Sequence, residues 1–377
     1  MVLKGSNENV AFVIHSLKIG GSEKFFINVV NHLQKEGYNP LVILLGDNNP
    51  LINELDKNLK IQVINRKFKY DLSIAFRIRD IVKANQIFKI FCVEPFSFFL
   101  SKLPFVFDNS VQFYLSLHNS LPISWKKYIL DMLFVRLIGK QDTVIYICKY
   151  QQECFKKLYF FKPSQSYVVY NGVNTDFFSP MNTLQSINSE KLNWKNQMGI
   201  RDEELVLVMI GRLSKEKGQI YAINALKVLH LKRKFLPHLI IVGEGTPDME
   251  KRLRQLVIQL GMHRYIHFTG SQFEIRHFLL QADGFVMTSL SETFSIAALE
   301  ALSMGIPCSV TRIGGAPELL VDEHFGILCE PANIQSIASS WEQLLQRKKN
   351  EQAIRATTIS KFSINQMISG YKKILSS

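Results

Sequence analysis

The chain has few cysteines for its length, and their spacing excludes two common uses of this residue. There are five among 377 residues. None forms a C-x-x-C pair, so the sequence supports neither a disulfide framework nor a zinc knuckle. An odd number of scattered thiols fits a reducing compartment, and we expect a cytoplasmic protein. The cysteines are Cys92, Cys148, Cys154, Cys308 and Cys329.

Long apolar runs are also missing. The best candidate, residues 90–107, is interrupted by Glu94, Pro95 and Lys102. A membrane-spanning helix needs roughly 18 or more apolar residues without such breaks. Residues 1–9 are polar and lack the apolar stretch of a signal peptide. The sequence therefore predicts neither a membrane span nor a secretion signal.

Several signatures of metal and cofactor chemistry are absent. No D-x-D occurs, and no group of His, Asp and Glu has the spacing of a metal site. There is no G-x-S-x-G and no Walker loop. Gly243-Glu244-Gly245 follows an apolar run but lacks the third glycine of a dinucleotide fingerprint, which argues against NAD. We expect neither a metal nor a cofactor.

The composition is that of a folded protein with anionic partners. Hydrophobic residues make up 47% and charged residues 20%, which provides apolar area for two cores in a chain of this length. The net charge of +13 favours nucleotide phosphates or an acidic membrane face. No nucleic-acid-binding module is recognisable, so we expect no nucleic-acid partner.

Short β-rich runs alternate with helical patterns along most of the chain. Residues 10–16 form a buried strand, and residues 22–36 show helical spacing with Ser22 as the expected N-cap. The alternation restarts with the buried strand 205–210. Such alternation predicts an α/β protein with two Rossmann-like domains, each built on a mainly parallel sheet. Ligands of these sheets bind at the carboxyl ends of the strands.

Composition changes suggest the domain boundaries. We expect an N-terminal domain over residues 1–180 and a C-terminal domain over residues 197–355. Residues 181–196 are rich in Asn, Ser, Lys and Gln and are predicted to be a linker. Residues 356–377 are predicted to be a helical tail that packs back on the N-terminal domain.

The most informative motif contains two glutamates eight residues apart. Glu292 lies at a strand-to-helix turn, and Glu300 lies inside an apolar helix. Eight helical residues span about 12 Å, which suits two contacts with one extended ligand. Carboxylates accept hydrogen bonds from vicinal sugar hydroxyls, and the free amides of a helix start suit a diphosphate. The alternative is a pair of surface glutamates on an ordinary helix.

A second motif, G-R-L-S-K-E-K-G, spans residues 211–218 and follows a buried strand. Arg212 is able to bind phosphate oxygens in a bidentate manner, and Lys217 adds a point charge. With no metal expected, these cations would stabilise a departing diphosphate. The alternative is a solvated basic loop.

Two weaker signals lie in the N-terminal half. Gly20 and Gly21 join the first strand to the first helix, where a glycine lets the backbone approach a ligand phosphate. His118 ends the strand 111–117. Sites collect at such strand ends, although a lone histidine is commonly a satisfied core residue.

These motifs, with the segment Gly314-Gly315-Ala316-Pro317-Glu318, resemble the retaining family 4 (group 1) glycosyltransferases of GT-B fold. The similarity is best between residues 206 and 338. It implies that Glu292 contacts the donor sugar and Glu300 the nucleotide ribose. One departure is Thr293-Phe294-Ser295, which stands where the family commonly has a Gly-Phe-Gly-like turn.

The resemblance implies further site residues. Arg212 and Lys217 would stabilise the leaving diphosphate, and His118 would lie near the reacting sugar. The expected donor-binding residues are Gly20, Gly21, Arg212, Lys217, Glu292, Phe294, Ser295, Ile296 and Glu300.

The resemblance also implies an activity. A retaining glycosyltransferase would move a sugar from a nucleotide-diphosphate donor to a hydroxyl of a glycan or lipid-linked acceptor, in cell-surface polysaccharide assembly. The two domains would face each other across a cleft, with the acceptor on the N-terminal side. The alternatives are a nucleotide-sugar epimerase of similar architecture and a non-catalytic sugar-nucleotide-binding subunit.

Residues 124–140 suggest a peripheral contact with an anionic membrane at the inner face. This segment combines the aromatic residues Trp125 and Tyr128 with the basic residues Lys126 and Lys127, as in a basic amphipathic helix. The alternative is that the apolar residues of this helix face the core. They are Ile129, Leu130, Leu133, Phe134 and Leu137.

Overall fold

The computed structural model describes residues 9–18, 20–66, 71–118, 125–232, 237–321 and 323–376. They form two compact units. The first contains the described residues through Asn171 together with those from Ile368 onward, and the second contains Gly172–Met367. Each unit has one parallel sheet with helices, which confirms the predicted α/β class with two Rossmann-like domains.

The sheet of the first unit has seven strands in the order β3-β2-β1-β4-β5-β6-β7. Their pairing is parallel throughout. The central strands are continuous apolar runs because helices cover such sheets on their faces. The strands are β1 (Asn9–Ile14), β2 (Asn39–Leu44), β3 (Lys60–Val63), β4 (Lys89–Cys92), β5 (Gln112–Leu117), β6 (Thr143–Tyr146) and β7 (Gln165–Val168).

The first five helices belong to this unit. They are α1 (Gly21–Lys35), α2 (Ser73–Ala84), α3 (Pro95–Lys102), α4 (Trp125–Val135) and α5 (Lys149–Tyr159). Helix α1 begins one residue before the predicted N-cap, because Gly20 holds the extended cap conformation and its carbonyl accepts the amide of Lys24. The Ser22 hydroxyl instead donates to the Glu23 carboxylate. The predicted Ser22 cap is therefore wrong.

The sheet of the second unit has six strands in the order β10-β9-β8-β11-β12-β13, again parallel. The strands are β8 (Val206–Ile210), β9 (His238–Val242), β10 (Ile266–Gly270), β11 (Gly284–Met287), β12 (Cys308–Thr311) and β13 (Gly326–Cys329).

The remaining helices all begin in the second unit. They are α6 (Pro180–Ser186), α7 (Ser189–Leu192), α8 (Trp194–Gln197), α9 (Gln219–Lys232), α10 (Pro247–Gln259), α11 (Arg276–Leu280), α12 (Ile296–Ser303), α13 (Ala316–Leu319), α14 (Ile334–Gln346), α15 (Glu351–Phe362) and α16 (Ile364–Leu375). The last of them, α16, begins in the second unit and ends in the first.

The segment predicted as a linker, residues 181–196, is mostly helical and lies in the second unit. Several tertiary contacts anchor it. Trp194 is buried, and its indole N–H donates to the carbonyl of His277 at 3.0 Å. Thr183 is buried as well, and the Gln281 side-chain amide donates to the carbonyl of Leu192 at 2.6 Å. These contacts fix a segment that lacks strong helical periodicity in its sequence.

Helix α16 contributes to the core of the first unit. Ile368, Tyr371, Ile374 and Leu375 are all buried. The Lys89 ammonium donates to the carbonyl of Leu375 at 2.6 Å. The C-terminal part of α16 is therefore part of the first unit's packing.

Candidate functional site

The sheet order of the second unit reverses between β8 and β11. These strands are neighbours, although β9 and β10 lie between them in sequence. At such a point the loops that follow the two strands diverge and leave a crevice, which is where open α/β sheets bind ligands. The loop after β8 is residues 211–218, and the loop after β11 is residues 288–295. Both carry predicted site residues.

The loop 211–218 is fixed by its neighbours. The amide of Gly211 donates to Val242 and that of Leu213 to Glu244, each at 2.9 Å. The carbonyl of Gly218 accepts the Thr288 hydroxyl at 2.9 Å. Gly218 has a φ of +68°, and a Cβ there would overlap the Thr288 carbonyl. The site requires glycine at this position because the two loops touch through their backbones.

Lys217 and Glu292 meet across the crevice. The Lys217 ammonium forms an ion pair with the Glu292 carboxylate, and both side chains are partly exposed. The amide of Leu290 also donates to the carbonyl of Glu216 at 2.7 Å, which holds the two loops side by side. Sequence-distant members of the two predicted motifs therefore lie together.

Arg212 lies on the same loop with an exposed side chain. Its carbonyl accepts the Gln219 side-chain amide at 3.0 Å, which anchors its backbone. Its guanidinium has no hydrogen-bond or ion-pair partner among the residues the structure describes. This cation is available to an anionic ligand.

The loop after β11 packs against Gly314 and Gly315 of the segment Gly314-Gly315-Ala316-Pro317-Glu318. Gly314 has a φ of +54°, and a Cβ there would lie 2.8 Å from the Thr293 carbonyl oxygen and closer still to that of Glu292. The amide of Gly315 donates to the Thr293 carbonyl at 2.7 Å. The Gly-Gly pair therefore determines where the backbone of Glu292 runs.

Helix α12 begins directly after this loop. Ser295 is its N-cap, accepting the Ala298 amide on its hydroxyl at 3.3 Å. Ile296 is the first helical residue and is partly exposed. The Phe294 side chain is buried, with its ring 5.9 Å from that of Phe362. The side chain of Phe294 is thus part of the core.

Glu300 lies on α12 and is buried. Glu300 follows Glu292 by eight residues, on the helix that begins directly after the loop of Glu292. A carboxylate in an apolar helix is kept only where it has partners, and Glu300 does interact with neighbouring groups. The two glutamates of the motif thus occupy different environments, one in an open loop and one inside.

In the first unit, Gly20 and Gly21 lie at the start of α1, the helix that follows β1. Gly20 is extended, and Gly21 is the first helical residue and exposed. A Cβ on Gly20 would meet the flexible Glu23 carboxylate. The space beside Gly20 is therefore limited by a side chain that is able to move.

His118 follows β5, as predicted, and its ring packs on Phe25 with the ring centroids 3.9 Å apart. Its Nε2 lies 2.9 Å from the Ser116 hydroxyl, which in turn lies 2.9 Å from the Tyr371 hydroxyl. Burial lowers the pKa of His118 to about 3, so the ring is neutral at physiological pH. A neutral imidazole is suited to hydrogen bonding rather than to charge neutralisation.

Glu94, Arg66 and Tyr371 were not identified from the sequence, and they lie in the first unit with Gly20 and His118. Glu94 follows β4, and its carboxylate accepts the backbone amide of His15 at 2.8 Å. Arg66 lies 2.9 Å from Nε2 of His15. The position of Glu94 at a strand end was a usable signal. Arg66 and Tyr371 follow no motif and could not be found from the sequence.

Metal ligation finds no support in the described ranges. They contain no group of three or more His, Cys, Asp or Glu side chains placed to hold a metal ion. Within those ranges, too, every helix is either too short or too polar to span a bilayer.

Helix α4 carries the segment predicted to touch membranes. Ile129 and Leu133 are exposed, one turn apart, while Phe134 is buried. The core-facing alternative thus holds for Phe134 and not for Ile129 or Leu133. Leu137 is partly buried against the core. The side chains of Trp125, Lys126, Lys127 and Leu130 lie outside the described part of the structure.

Two family profiles match the chain. Glycosyl transferases group 1 matches residues 190–360, and Glycosyltransferase Family 4 matches residues 19–177. Between them they cover most of both units.

Curated relatives match over part of their length. An uncharacterized glycosyltransferase of Methanocaldococcus jannaschii is 34% identical over 47% of this chain and 44% of its own. The UDP-Gal:alpha-D-GlcNAc-diphosphoundecaprenol alpha-1,3-galactosyltransferase of Escherichia coli is 27% identical over 63% of this chain and 59% of its own. The chain therefore spans about half the length of these relatives.

A solved structure matches over the full chain. The Anabaena protein HepE, crystallised in complex with UDP and glucose, has a TM-score of 0.81 at 21% identity. The match covers 98% of this chain and 99% of HepE. The two proteins share a fold, in agreement with the predicted GT-B class.

Proposed function

The chain belongs to the group 1 (family 4) glycosyltransferases, and from that premise we propose that it transfers a sugar from a nucleotide-diphosphate donor to a hydroxyl of a glycan or lipid-linked acceptor. The transfer retains the anomeric configuration and serves cell-surface polysaccharide assembly. The donor binds to the second unit and the acceptor to the first. No metal or cofactor takes part.

The observation that supports the donor site is the Lys217–Glu292 pair at the point where the sheet order reverses. The ion pair shows that the two side chains reach the same point. When the donor binds, Lys217 exchanges Glu292 for a phosphate oxygen. Glu292 then accepts hydrogen bonds from the donor sugar. Arg212, exposed on the same loop, is a second cation for the diphosphate.

Two relatives favour a UDP-sugar as the donor. HepE was crystallised with UDP and glucose, and the Escherichia coli relative uses UDP-Gal with a lipid-linked diphosphate acceptor. In the same arrangement here, Glu300 accepts hydrogen bonds from the ribose hydroxyls. The amides at the start of α12, beside Ser295 and Ile296, face the diphosphate.

The chemical step is a front-face substitution at the anomeric carbon. The bond to the diphosphate oxygen breaks as the acceptor oxygen bonds to the same face of the sugar. Negative charge grows on the leaving diphosphate, where Arg212 and Lys217 stabilise it. The acceptor proton passes to that diphosphate. His118, neutral at physiological pH, orients the donor sugar by hydrogen bonding.

The test of leaving-group stabilisation is alanine substitution in the basic loop. Arg212→Ala and Lys217→Ala should each lower kcat roughly 100-fold, as the loss of a preorganised charge typically does. Lys215→Ala is the matched control, because Lys215 is an exposed lysine of the same loop. Near-normal turnover in the two test variants would refute this role.

The ribose assignment has its own test. Glu300→Ala should weaken UDP binding roughly tenfold or more, because a hydrogen bond to a charged group is lost. Glu203→Ala, which removes an exposed carboxylate of the same unit, should leave the affinity unchanged. Calorimetric titration with free UDP distinguishes the two results, and unchanged affinity in Glu300→Ala would contradict the assignment.

The two alternative functions are separable by simple assays. An epimerase would convert the donor with no acceptor present, so incubation with UDP-sugars alone detects it. A non-catalytic subunit would bind the donor without turning it over. A thermal-shift screen of nucleotide sugars identifies the donor first, because a ligand that binds the native state raises Tm.

We further propose that the protein works at the cytoplasmic face of a membrane, held by α4. The exposed pair Ile129 and Leu133 supports this, because apolar side chains one turn apart form a strip that inserts into a lipid surface. The double variant Ile129→Ser with Leu133→Ser should lose binding to anionic vesicles. Ile258→Ser, at another exposed apolar helix position, is the control.

The positive charges of Lys126 and Lys127 should also contribute to binding in the vesicle assay. Lys126→Glu with Lys127→Glu should release the protein from anionic vesicles, because basic residues beside an apolar strip add electrostatic attraction. Vesicle binding that survives both double variants would refute membrane attachment through α4.

A further inference from the structure

The first unit has its own reversal of sheet order, between β1 and β4. These strands are neighbours, although β2 and β3 lie between them in sequence. The loops after β1 and β4 therefore border a crevice, as the loops after β8 and β11 do in the second unit. His15 follows β1 directly, and Glu94 lies two residues after the end of β4.

Only one of the two carboxylate oxygens of Glu94 has a hydrogen-bond partner among the described residues. One carboxylate oxygen, Oε1, accepts the backbone amide of His15 at 2.8 Å. The other oxygen has no partner in the described part of the chain and is not sealed from solvent. The carboxylate is thus held in place by one oxygen, while the second is accessible to solvent.

The surroundings of Glu94 keep its charge poorly compensated. Its pKa is raised to about 7, chiefly by burial; the nearby Glu23 contributes to the rise, while the His15 amide and Arg66 act in the opposite direction. Such a carboxyl gains most from a ligand that donates a hydrogen bond to it. Sugar hydroxyls are donors of this kind, whereas phosphates are not.

The neighbouring histidine is also incompletely satisfied. Arg66 only donates hydrogen bonds, so Nε2 of His15 accepts and the ring proton lies on Nδ1. Nδ1 is buried and has no partner in the described ranges. A buried donor without an acceptor is costly, and natural proteins keep few of them. Among the described residues, a donor without a partner thus follows β1, and an acceptor with one open oxygen follows the neighbouring strand β4.

We propose that Glu94 binds the acceptor substrate by accepting a hydrogen bond from a saccharide hydroxyl, with the backbone amide of His15 holding the carboxylate in place. This inference rests on the proposed function, because it takes the first unit as the acceptor side. It adds the residue that recognises the acceptor and the chemical group that this residue recognises.

The experiment compares Glu94→Gln with wild type. Glutamine keeps the shape of the side chain and removes the ionised acceptor. The acceptor probe is dodecyl α-N-acetylglucosaminyl diphosphate, a short analogue of a lipid-linked sugar. KM for this probe should rise roughly tenfold to a hundredfold, the range for a lost hydrogen bond to a charged group. UDP affinity and hydrolysis of the UDP-sugar without acceptor should stay within twofold of wild type.

Glu153→Gln is the matched control, because it removes an exposed carboxylate from α5 of the same unit. Its KM for the probe should equal that of wild type. A Glu94→Gln enzyme with unchanged acceptor KM would overturn the assignment. A loss of UDP affinity or of donor hydrolysis in this variant would also overturn it, since a general structural defect would then explain the result.

The remaining outcomes separate this inference from the proposed function. A wild-type protein that binds and hydrolyses a UDP-sugar but transfers nothing to the probe would overturn the acceptor assignment and leave the donor site standing. A wild-type protein that binds no nucleotide sugar at all would overturn the proposed function itself.

Discussion

The hydroxyl of Tyr371 lies 2.9 Å from that of Ser116, although 255 residues separate them in sequence. Tyr371 is buried and has no other hydrogen-bond partner in the described part of the chain. Its proton therefore goes to Ser116, and the Ser116 proton goes to Nε2 of His118 at 2.9 Å. The proton of the neutral His118 ring must then lie on Nδ1. The final helix thus selects the tautomer of a candidate active-site histidine.

Tyr371→Phe should change that tautomer. Without the tyrosine hydroxyl, the Ser116 hydroxyl is free to accept from Nε2, and the Nε2–H form should become populated. Nitrogen NMR of histidine-labelled protein distinguishes the two forms, with His118→Gln used to assign the signal. Glycosyl transfer should fall in kcat with little change in KM. Tyr159→Phe, which removes a hydroxyl bonded to Asp131, is the control. A His118 ring that is protonated on Nε2 in the wild-type protein would contradict the assignment of its proton to Nδ1.

His118 should make the protein acid-sensitive. Its pKa is about 3 in the folded state, against an ordinary value of 6.5. Between these values the unfolded chain binds a proton that the native state does not, so stability falls as the pH decreases below 6.5. The expected contribution is about 2 kcal/mol lost by pH 5. Urea unfolding at pH 8 and pH 5 should show a smaller loss for His118→Gln than for wild type. Equal losses would exclude this contribution.

Glu94 should have the opposite effect. Its pKa is about 7 in the folded state, against an ordinary value of 4.5. Between these values the native state binds the extra proton, so stability falls as the pH rises through this window. The contribution lost by pH 8 is about 3 kcal/mol. Glu94→Gln should therefore be more stable than wild type at pH 8, and the gain should disappear near pH 4.5. A pH-independent difference in the free energy of unfolding would show that the carboxyl does not titrate in this way.

Gly314→Ala should damage the donor site through its backbone. Gly314 and Gly261 both have positive φ, +54° and +65°, and alanine pays roughly 1 kcal/mol for that conformation at either position. Only at Gly314 does the new Cβ also meet backbone, at the Glu292 and Thr293 carbonyls, whereas nothing lies within 4 Å at Gly261. We expect Gly314→Ala to lose clearly more stability than Gly261→Ala, and to lose UDP binding as well. Similar losses of stability and affinity in both variants would mean that the loop moves freely.

The residues of the proposed donor site lie in short, contiguous motifs of the sequence. Arg212 and Lys217 share one loop, and Glu292 and Glu300 share one loop-helix segment, so each set is readable as a local pattern. The meeting of Lys217 with Glu292 followed from the rule that sites form at strand ends. The βα alternation likewise indicated two parallel sheets, because buried strands and amphipathic helices leave different periodicities.

Other features depend on contacts that no local pattern encodes. Tyr371 contacts Ser116 across 255 residues of sequence, and Arg66 contacts His15 from residues 64–66, which follow β3 without regular secondary structure. The burial of Trp194 turns a polar segment into part of the second unit. The ring of Phe294, a residue predicted to bind the donor, packs on Phe362, which lies 68 residues further along the chain. In each case the tertiary partner decides the role, and the partner is remote in sequence.

The contribution of α16 to the first core has a consequence for biosynthesis. A ribosome releases the strands of the first unit early, but Ile368, Tyr371 and Ile374 are made only after the second unit. The apolar surface that these residues cover in the first unit therefore stays exposed while the second unit is produced. A chain that stops before α16 would leave the core of the first unit uncovered.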